Sequence, residues 1–405
     1  MIRILTGGES HGRVLTGIID GLPAGLEIAK GYIDHQLRRR QQGYGRGGRM
    51  RIESDGVEIA GGVRFGRTTG APVVLQIRNI DHEHWLRVLA VEGDGAGVEP
   101  VLIPRPGHAD YVGSVKYRHL DLRNVIERAS ARETAIRVAC ATVVRKFLED
   151  VGIFVGSHVT AIGPVRLDDR SAVDRKIAKY TRASCGAYKV TEEADRSEVR
   201  MLDPGVAAKA VAAIRRARKA GDTLGGIFEV LVTGLPIGLG SYVQADRKLD
   251  GALAQAIMAI PAVKGVEFGD AFENARRLGS EVHDAFVVRA GRIGRATNRA
   301  GGLEGGVTNG EPIVLRGAMK PIATLAVPLP SVNIATGRSS KGRYERSDAC
   351  AVPAAGVIAE AVVAPVLGNS FLEKYGGDSM SEIRERYQPL GDIRNEKNRK
   401  KRLNS

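Results

Sequence analysis

Gly21-Leu22-Pro23-Ala24-Gly25-Leu26 returns 213 residues later as Gly234-Leu235-Pro236-Ile237-Gly238-Leu239. Proline has no N–H to give a strand ladder, so each copy marks the end of a strand and a turn. Outward from these turns the surroundings keep matching. Asp34-x-x-Leu37 reappears as Asp246-x-x-Leu249, and Gly56-Val57-Glu58 as Gly265-Val266-Glu267. Gly70-Ala71-Pro72-Val73-Val74-Leu75 reappears as Gly310-Glu311-Pro312-Ile313-Val314-Leu315. One such match is noise; four in the same order describe an internal duplication.

Each copy reads as strand, turn, helix and further strands. Segments 15–20 and 226–232, rich in Ile, Val, Leu and Phe, predict strands. Ile33 and Leu37 share one face of a helix that runs up to Gly43. In the second copy Asp246 is expected to cap a helix with Leu249, Leu253, Ala256 and Ile257 on one face. Strands are expected over 51–59 and 73–77, around Val287, and over 313–315. Long helices over 127–150 and about 349–375 close the halves. A helix over 206–220, stopped by Gly221, lies between them. The fold class is therefore α+β. One unit over 1–387 is built of two similar halves, about 1–150 and 222–387, joined by a helical connection. Packed about a pseudo-twofold axis, the halves would bring their Gly/Arg loops to one central cleft. Residues 388–405 form a basic tail whose Arg394–Arg402 run reads as solvated.

Lys and Arg outnumber Asp and Glu 60 to 46, a formal net charge of +14, which calls for an anionic partner. Nucleic acid is one such partner. Yet arginines 46, 49, 105, 132, 338 and 346 sit beside glycine turns, without the interleaved aromatics of single-strand binders. A small polyanion fits better. Three cysteines without metal-ligand spacing, Cys140, Cys185 and Cys350, fit a reducing cytoplasm, and no metal site is expected. The apolar run 349–367 is interrupted by Pro353, Gly356, Glu360 and Pro365, so no membrane span is expected.

Gly8-Glu9-Ser10-His11-Gly12 matches the nucleophile elbow of serine hydrolases, with Ser10 as nucleophile. The elbow needs an established parallel sheet before it, and here barely one strand precedes. His11 is alternatively a general acid, with Ser10 holding a ligand oxygen. Gly43, Gly45 and Gly48 form a literal G-x-G-x-x-G, but a helix precedes it and a strand follows, so the dinucleotide reading fails. What remains is a loop with Arg40, Arg46 and Arg49, suited to a phosphate or carboxylate, or simply to solvent. Arg105-Pro106-Gly107-His108-Ala109-Asp110 presents His108 on a tight turn, with Asp110 placed to orient it or to cap the next segment. In Arg128-Ala129-Ser130-Ala131-Arg132-Glu133-Thr134 the two arginines share a helical face and Ser130 lies near a helix start, where anions bind. The glycines of 298–310 and the Lys320–Thr324 segment offer backbone to a flat ring or a phosphate. Asp348 is either an N-cap or a carboxylate near a proton transfer.

Seven stretches, GESHGR, RQQGYGRGGRM, RPGHADY, RASARET, GGLEGGVTNG, AMKPIAT and RSDACAVPAAG, occur in the order and spacing of chorismate synthases. From Met1 to about Ser379 the chain resembles that family. The resemblance implies a β-α-β sandwich with internal pseudosymmetry, assembled as a homotetramer. It implies a lyase of the shikimate pathway of aromatic amino acid biosynthesis. Such an enzyme makes chorismate from 5-enolpyruvylshikimate 3-phosphate by 1,4-anti-elimination of phosphate, and it needs reduced FMN without net redox change. Carried over residue by residue, His108 protonates the leaving phosphate, His11 protonates the flavin and Asp348 assists at its N5. Arg40, Arg46, Arg49, Arg132 and Arg338 match substrate-gripping arginines. FMN is expected on Arg128, Ala129, Ser130, Pro261, Ala262, Gly305, Lys320, Pro321, Ile322, Ala323, Thr324 and Arg346. NADPH, as a reductant source, is placed by the family on Arg40 and Arg46. Pro261 departs from a commoner polar residue, Met201-Leu202-Asp203-Pro204 stands where relatives have Cys-Pro, and no reductase insertion is evident. A monofunctional enzyme is expected.

Overall fold

The computed structural model describes residues 1–47, 54–167, 169–289, 292–343, 345 and 347–387. Strand β1 (Arg3–Gly7) turns through the Ser10–His11 loop into β2 (Val14–Asp20). Gly21 then turns the chain at φ 82°, where any side chain would collide with the Met1 carbonyl. Next come helix α1 (Lys30–Gln41), β3 (Val57–Gly61), the short hairpin β4 (Val63–Arg64) and β5 (Arg67–Thr68), and β6 (Val73–Arg78). The sheet order is β1-β2-β6-β3, all antiparallel. Helices α2 (Asp110–Tyr117), α3 (Arg123–Ala129) and α4 (Thr134–Asp150) complete the first half.

The second sheet takes β7 (Phe154–Ile162), β8 (Val165–Arg166), β9 (Gly226–Thr233), β10 (Val263–Phe268) and β15 (Ile313–Met319), in the order β10-β15-β9-β7-β8. Between them lie α5 (Ser171–Thr181), α6 (Gly186–Asp195), α7 (Pro204–Lys219) and α8 (Leu249–Met258). Three hairpins also belong here: β11 (Phe286–Arg289) with β12 (Arg292–Arg295), β13 (Leu303–Glu304) with β14 (Val307–Thr308), and β16 (Pro330–Val332) with β17 (Ser339–Lys341). Helices α9 (Val352–Tyr375) and α10 (Met380–Arg386) end the described chain.

The duplication is visible in the strand order. β1-β2-β6-β3 and β7-β9-β15-β10 are the same arrangement, with α1 answering α8 and hairpin β4–β5 answering β13–β14. It is visible in single atoms too. Thr68 Oγ1 accepts from Leu26 N (2.9 Å) and donates to Pro23 O (2.6 Å). Thr308 Oγ1 accepts from Leu239 N (2.9 Å) and donates to Pro236 O (2.7 Å). One hydroxyl thus clasps each Gly-Leu-Pro turn.

Three local expectations change, and the helix expected over about 349–375 is present. The second sheet begins with β7, inside the segment read as a connection. The helix expected over 127–150 breaks at Ser130, whose ψ of 141° is extended and whose side chain accepts from Arg132 N. Arg128 and Arg132 therefore point to different neighbours. Asp246 lies in a separate 3-10 turn and caps nothing; α8 starts after Lys248. Helix α9 runs unbroken through Gly356, Glu360 and Pro365, with Pro353 in its first turn, where the missing N–H costs nothing. By length and composition α9 could cross a bilayer, but 72% of its apolar window is buried in the protein.

That burial is against α4, α1, α8 and strands β7 and β9 of the second sheet. One core runs from Leu15, Leu75 and Ile77 through Ile136, Val143 and Phe147 of α4, Val363 and Leu367 of α9, to Val230, Val232 and Leu315. The outer face of the second sheet is covered by α6, with Ala187 and Val190 against Leu231. The outer face of the first is bare, and Leu5 is 72% exposed. The chain start is clamped from afar, since Ile2 N donates to Asn369 Oδ1 (2.5 Å) and Asn369 Nδ2 donates to Ile2 O (3.0 Å).

At the centre of α9 the fully buried Glu360 accepts from Arg39 (2.7 and 2.9 Å), Arg145 (2.6 Å), Arg200 (3.0 Å) and Ser157 Oγ (2.6 Å). Burial alone would raise its carboxyl, but Arg39, Arg145 and Arg200 outweigh it and hold the group well below its ordinary 4.5. Replacing one partner of a buried pair leaves the others uncompensated. Glu360→Ala is therefore expected to lower unfolding free energy by about 3–5 kcal/mol in denaturant titrations. Because the folded value is depressed, this contribution is present above pH 4.5 and is lost as pH falls through the folded value. A pH-independent difference between wild type and variant in acid would contradict the assignment.

Candidate active site

The loop joining β1 to β2 is held by Glu127 of α3. Ser10 N donates to Glu127 O (3.0 Å) and His11 N to Glu127 Oε2 (2.8 Å). The His11 ring Nδ1 lies 3.0 and 2.9 Å from the two carboxylate oxygens, and the ring stacks on Trp85 at 4.1 Å. A carboxylate only accepts, so Nδ1 carries the hydrogen and Nε2 is the atom left for proton exchange. Burial would raise the Glu127 carboxyl, but the His11 bonds and the Arg123 charge hold it below its usual range. Ser10 Oγ donates to Ser130 Oγ (3.0 Å), bringing two distant motifs together. Arg128 binds the same loop through Gly8 O (3.2 Å) and Thr6 O (3.1 Å).

Beside it lies a buried cluster of guanidinium groups. Arg40, in the last turn of α1, donates to Thr134 Oγ1 (2.9 Å), Ala131 O (3.0 Å) and Asp55 (3.4 Å). Asp55 also pairs with Arg132, whose Nε donates to Asn79 Oδ1 (2.9 Å). Asn79 Nδ2 in turn donates to Gly12 O (2.6 Å) and Glu9 O (3.2 Å), tying the arginines to the His11 loop. Burial pushes Arg40 down to about 10, with Asp55 opposing and Arg46 and Arg132 adding to the fall. Three guanidinium groups from distant segments therefore feel one another. Asp348 is not the cap of α9, which starts after Ala351. It pairs with Arg46 (2.7 Å) and accepts from Gly47 N (2.6 Å).

The second histidine has its own carboxylate. His108 Nδ1 lies 2.5 Å from Asp110 Oδ1, while the Arg105 fork grips the same carboxylate (2.9 and 3.0 Å). Burial would raise Asp110, but the His108 and Arg105 bonds hold it far below the usual range. Lys320 Nζ donates to Gly107 O (2.9 Å), and Arg105 Nη1 to Thr324 Oγ1 (3.2 Å). Lys320 N donates to Ala262 O (2.9 Å), which brings Pro261 and Ala262 to this end of β15; Ala262 takes φ 67° to do so. Ile322 O accepts from Thr223 Oγ1 (2.8 Å), next to Leu224, which donates to Ala349 O (2.8 Å) beside Asp348.

The structure thus joins Ser10, His11, Arg128, Ala129, Ser130, Arg40, Arg46, Arg132 and Asp348, and joins His108 to Pro261–Ala262 and Lys320–Thr324. Arg338 is exposed in the β16–β17 turn. That hairpin is pinned to the segment leading to His108, since Ser331 Oγ donates to Pro104 O (2.6 Å). Gly305 sits at the other end of β15 from Lys320, roughly 20 Å away by the rise of a strand. Arg49 and Arg346 lie outside the described residues. Sequence reasoning missed Asp55, Asn79, Trp85, Arg123, Glu127 and Glu345. His82 Nδ1 reaches His11 O (2.9 Å), and His158 pairs with buried Glu229. No cluster of three or more metal-ligating side chains occurs among the described residues. A groove of about 1130 Å³ lined by Met1, Arg247, Asn369 and Glu373 contains none of the site residues named here.

The fold and site define an α+β protein of two sheets in which a cluster of arginines lies beside two carboxylate-held imidazoles. Comparison gives the family. The chorismate synthase family model matches residues 2–372. The chain is 54% identical to chorismate synthases of Chlorobium luteolum and Chlorobaculum tepidum over 388 residues, 95% of this chain and 96% of each relative. It is also similar to a solved structure described as chorismate synthase, with a TM-score of 0.75 and 41% identity, covering 95% of this chain and 96% of that one. The chain belongs to the chorismate synthase family.

The hydrolase alternative does not survive this geometry, because the strand before Ser10 is an edge strand of an antiparallel sheet and leads to another strand. A fluorophosphonate probe is expected to leave Ser10 unmodified in the folded protein; a labelled Ser10 peptide in mass spectrometry would reverse that conclusion.

Proposed function

We propose that this protein is a lyase that converts 5-enolpyruvylshikimate 3-phosphate to chorismate by 1,4-anti-elimination of phosphate, using reduced FMN. The observation that carries this reading is the convergence of Arg40, Arg46 and Arg132 beside two imidazoles, each held at Nδ1 by its own carboxylate. The substrate bears a phosphate and two carboxylates, and planar guanidinium forks match all three. His108, oriented by Asp110, gives its Nε2 proton to the departing phosphate. His11, oriented by Glu127, holds a proton at Nε2 on the opposite imidazole. Asp348, fixed by Arg46 and Gly47, is a carboxylate held beside the site arginines.

The donor set suits FMN. Arg128, Ser130, Lys320 and Thr324 supply cationic and hydroxyl partners for a phosphate. The Ala262 and Lys320–Ala323 backbone presents small or rigid residues to a ring. When bound, reduced FMN supplies the transient electron that lets the C–O bond break and takes up the poorly acidic ring hydrogen. Pro261 contributes backbone only. For NADPH the arginines named by the family offer less, since Arg40 is 3% exposed and engaged with Asp55 and Ala131. A monofunctional enzyme that receives reduced flavin from elsewhere is the better reading. The buried thiols, with Cys140 pushed up to about 12 and Cys350 to about 11 by burial, suit a cytoplasmic setting.

Anaerobic incubation with dithionite-reduced FMN and the substrate should release phosphate and chorismate; absence of both products would end the proposal. In the same assay His108→Ala should lower turnover by about 10²- to 10⁴-fold, the range for a lost general acid. Near-normal turnover would remove His108 from the reaction.

The homotetramer is supported by the bare first sheet, where Leu5 pairs Ile18 and Ile18 pairs Val74 in one apolar row on the outer face. Leu5→Arg with Ile18→Glu should lower the assembly mass in light scattering; an unchanged mass would place the contact elsewhere.

A further inference from the structure

We propose that Glu345 is a positioning residue that yokes His11 and His108 into one electrostatic unit; this rests on the reading above that both imidazoles move protons. Glu345 Oε1 lies 3.6 Å from Arg123 Nη1, and Oε2 lies 3.4 Å from Arg105 Nη1. On one side Arg123 Nη1 reaches Glu127 Oε1 (3.4 Å), and Glu127 holds His11. On the other, Arg105 grips Asp110, which holds His108. From Glu127 to Asp110, carboxylates and guanidinium groups alternate without a break. Four of the five are nearly or fully buried, with Arg105 and Arg123 side chains each 8% exposed and Glu345 the most open at 22%. Charges so enclosed are little screened.

Glu345 is the one acid that both cations share. Without its charge, Arg105 and Arg123 repel across the gap it filled. Each then leans on its own carboxylate, Asp110 or Glu127, and weakens the grip of that carboxylate on its imidazole. A second link makes the His11 side sensitive to position as well as charge. The Arg123 guanidinium lies over the Trp85 ring (5.0 Å), and that ring stacks on His11 (4.1 Å). Among the described residues the charged groups around the unit include Arg343, which donates to Glu345 Oε1 (3.1 Å) from the solvent side, Lys320 on Gly107 O, Asp121, which accepts from Arg123 N (2.8 Å), and Asp81, which accepts from Trp85 Nε1 (3.3 Å).

The test is histidine NMR of the full chain without substrate or flavin, with resonances assigned through single His→Gln variants. Glu345→Gln keeps the shape and removes the charge. It should displace the His11 and His108 titration curves together to lower pH, while His158, paired with Glu229 elsewhere, stays put. Glu345→Asp should restore both in part. In an Arg123→Gln background, which removes the intervening cation, Glu345→Gln should move His108 alone. Movement of only one histidine in the single variant, or of neither, overturns the proposal, as does continued movement of His11 in the Arg123→Gln background. These readouts do not require turnover, so they stand apart from the fate of the proposed reaction. If that reaction holds, Glu345→Gln should lower kcat by about 10- to 100-fold with KM little changed, as expected for misplaced catalytic groups.

Discussion

Two adjacent arginines on α1 face opposite duties, and the ion cluster around Glu360 is what separates them. Arg39 is drawn to Glu360 and Asp195, while Arg40, one residue on, enters the site toward Asp55 and Thr134. Glu360 belongs to α9 in the second half, whereas Arg39 and Arg145 belong to α1 and α4 in the first. The cluster therefore fixes the rotation of α1 and the seating of α4 against α9 in one step. A hydrophobic contact would also stabilise that interface, but it is non-directional. Six hydrogen bonds to one carboxylate, the sixth from Thr191 Oγ1 (3.3 Å), permit a single arrangement, and the site arginines inherit it.

The site itself repeats the same device at smaller scale. Arg40 and Arg132 share Asp55, Arg46 has Asp348, Arg105 has Asp110, and Arg123 has Glu127 and Glu345. Isolated buried cations would be too costly to keep charged. Shared acids keep them charged while leaving guanidinium edges with capacity for an anion.

How far the sequence revealed this depends on whether a feature is repeated or borne by residues with distinctive chemistry. The Gly-Leu-Pro turns and their Gly-x-Pro partners were legible because duplication writes them twice, and the Thr68 and Thr308 clasps show why both were kept. The Ser10-His11, Arg105–His108 and Arg128–Ser130 motifs were legible as stretches of distinctive chemistry, and the fold joins Ser10 to Ser130 and His108 to Asp110. Asp55, Glu127 and Glu345 were not legible, because a single acid in a strand end, a helix or a loop looks like any solvated charge until the fold buries it. The break at Ser130 was hidden for a related reason. Its neighbours are good helix formers, and only the competing cap to Arg132 N, with Arg40 drawn to Ala131 O, stops the helix. β7 was passed over because its partner β9 lies across three intervening helices.

The clamp between Ile2 and Asn369 spans 367 residues. During synthesis β1 leaves the ribosome well before its anchor in α9. The strand that leads into the His11 loop consequently stays without its distal support until α9 has been made, so the loop reaches its observed geometry only when both halves are present.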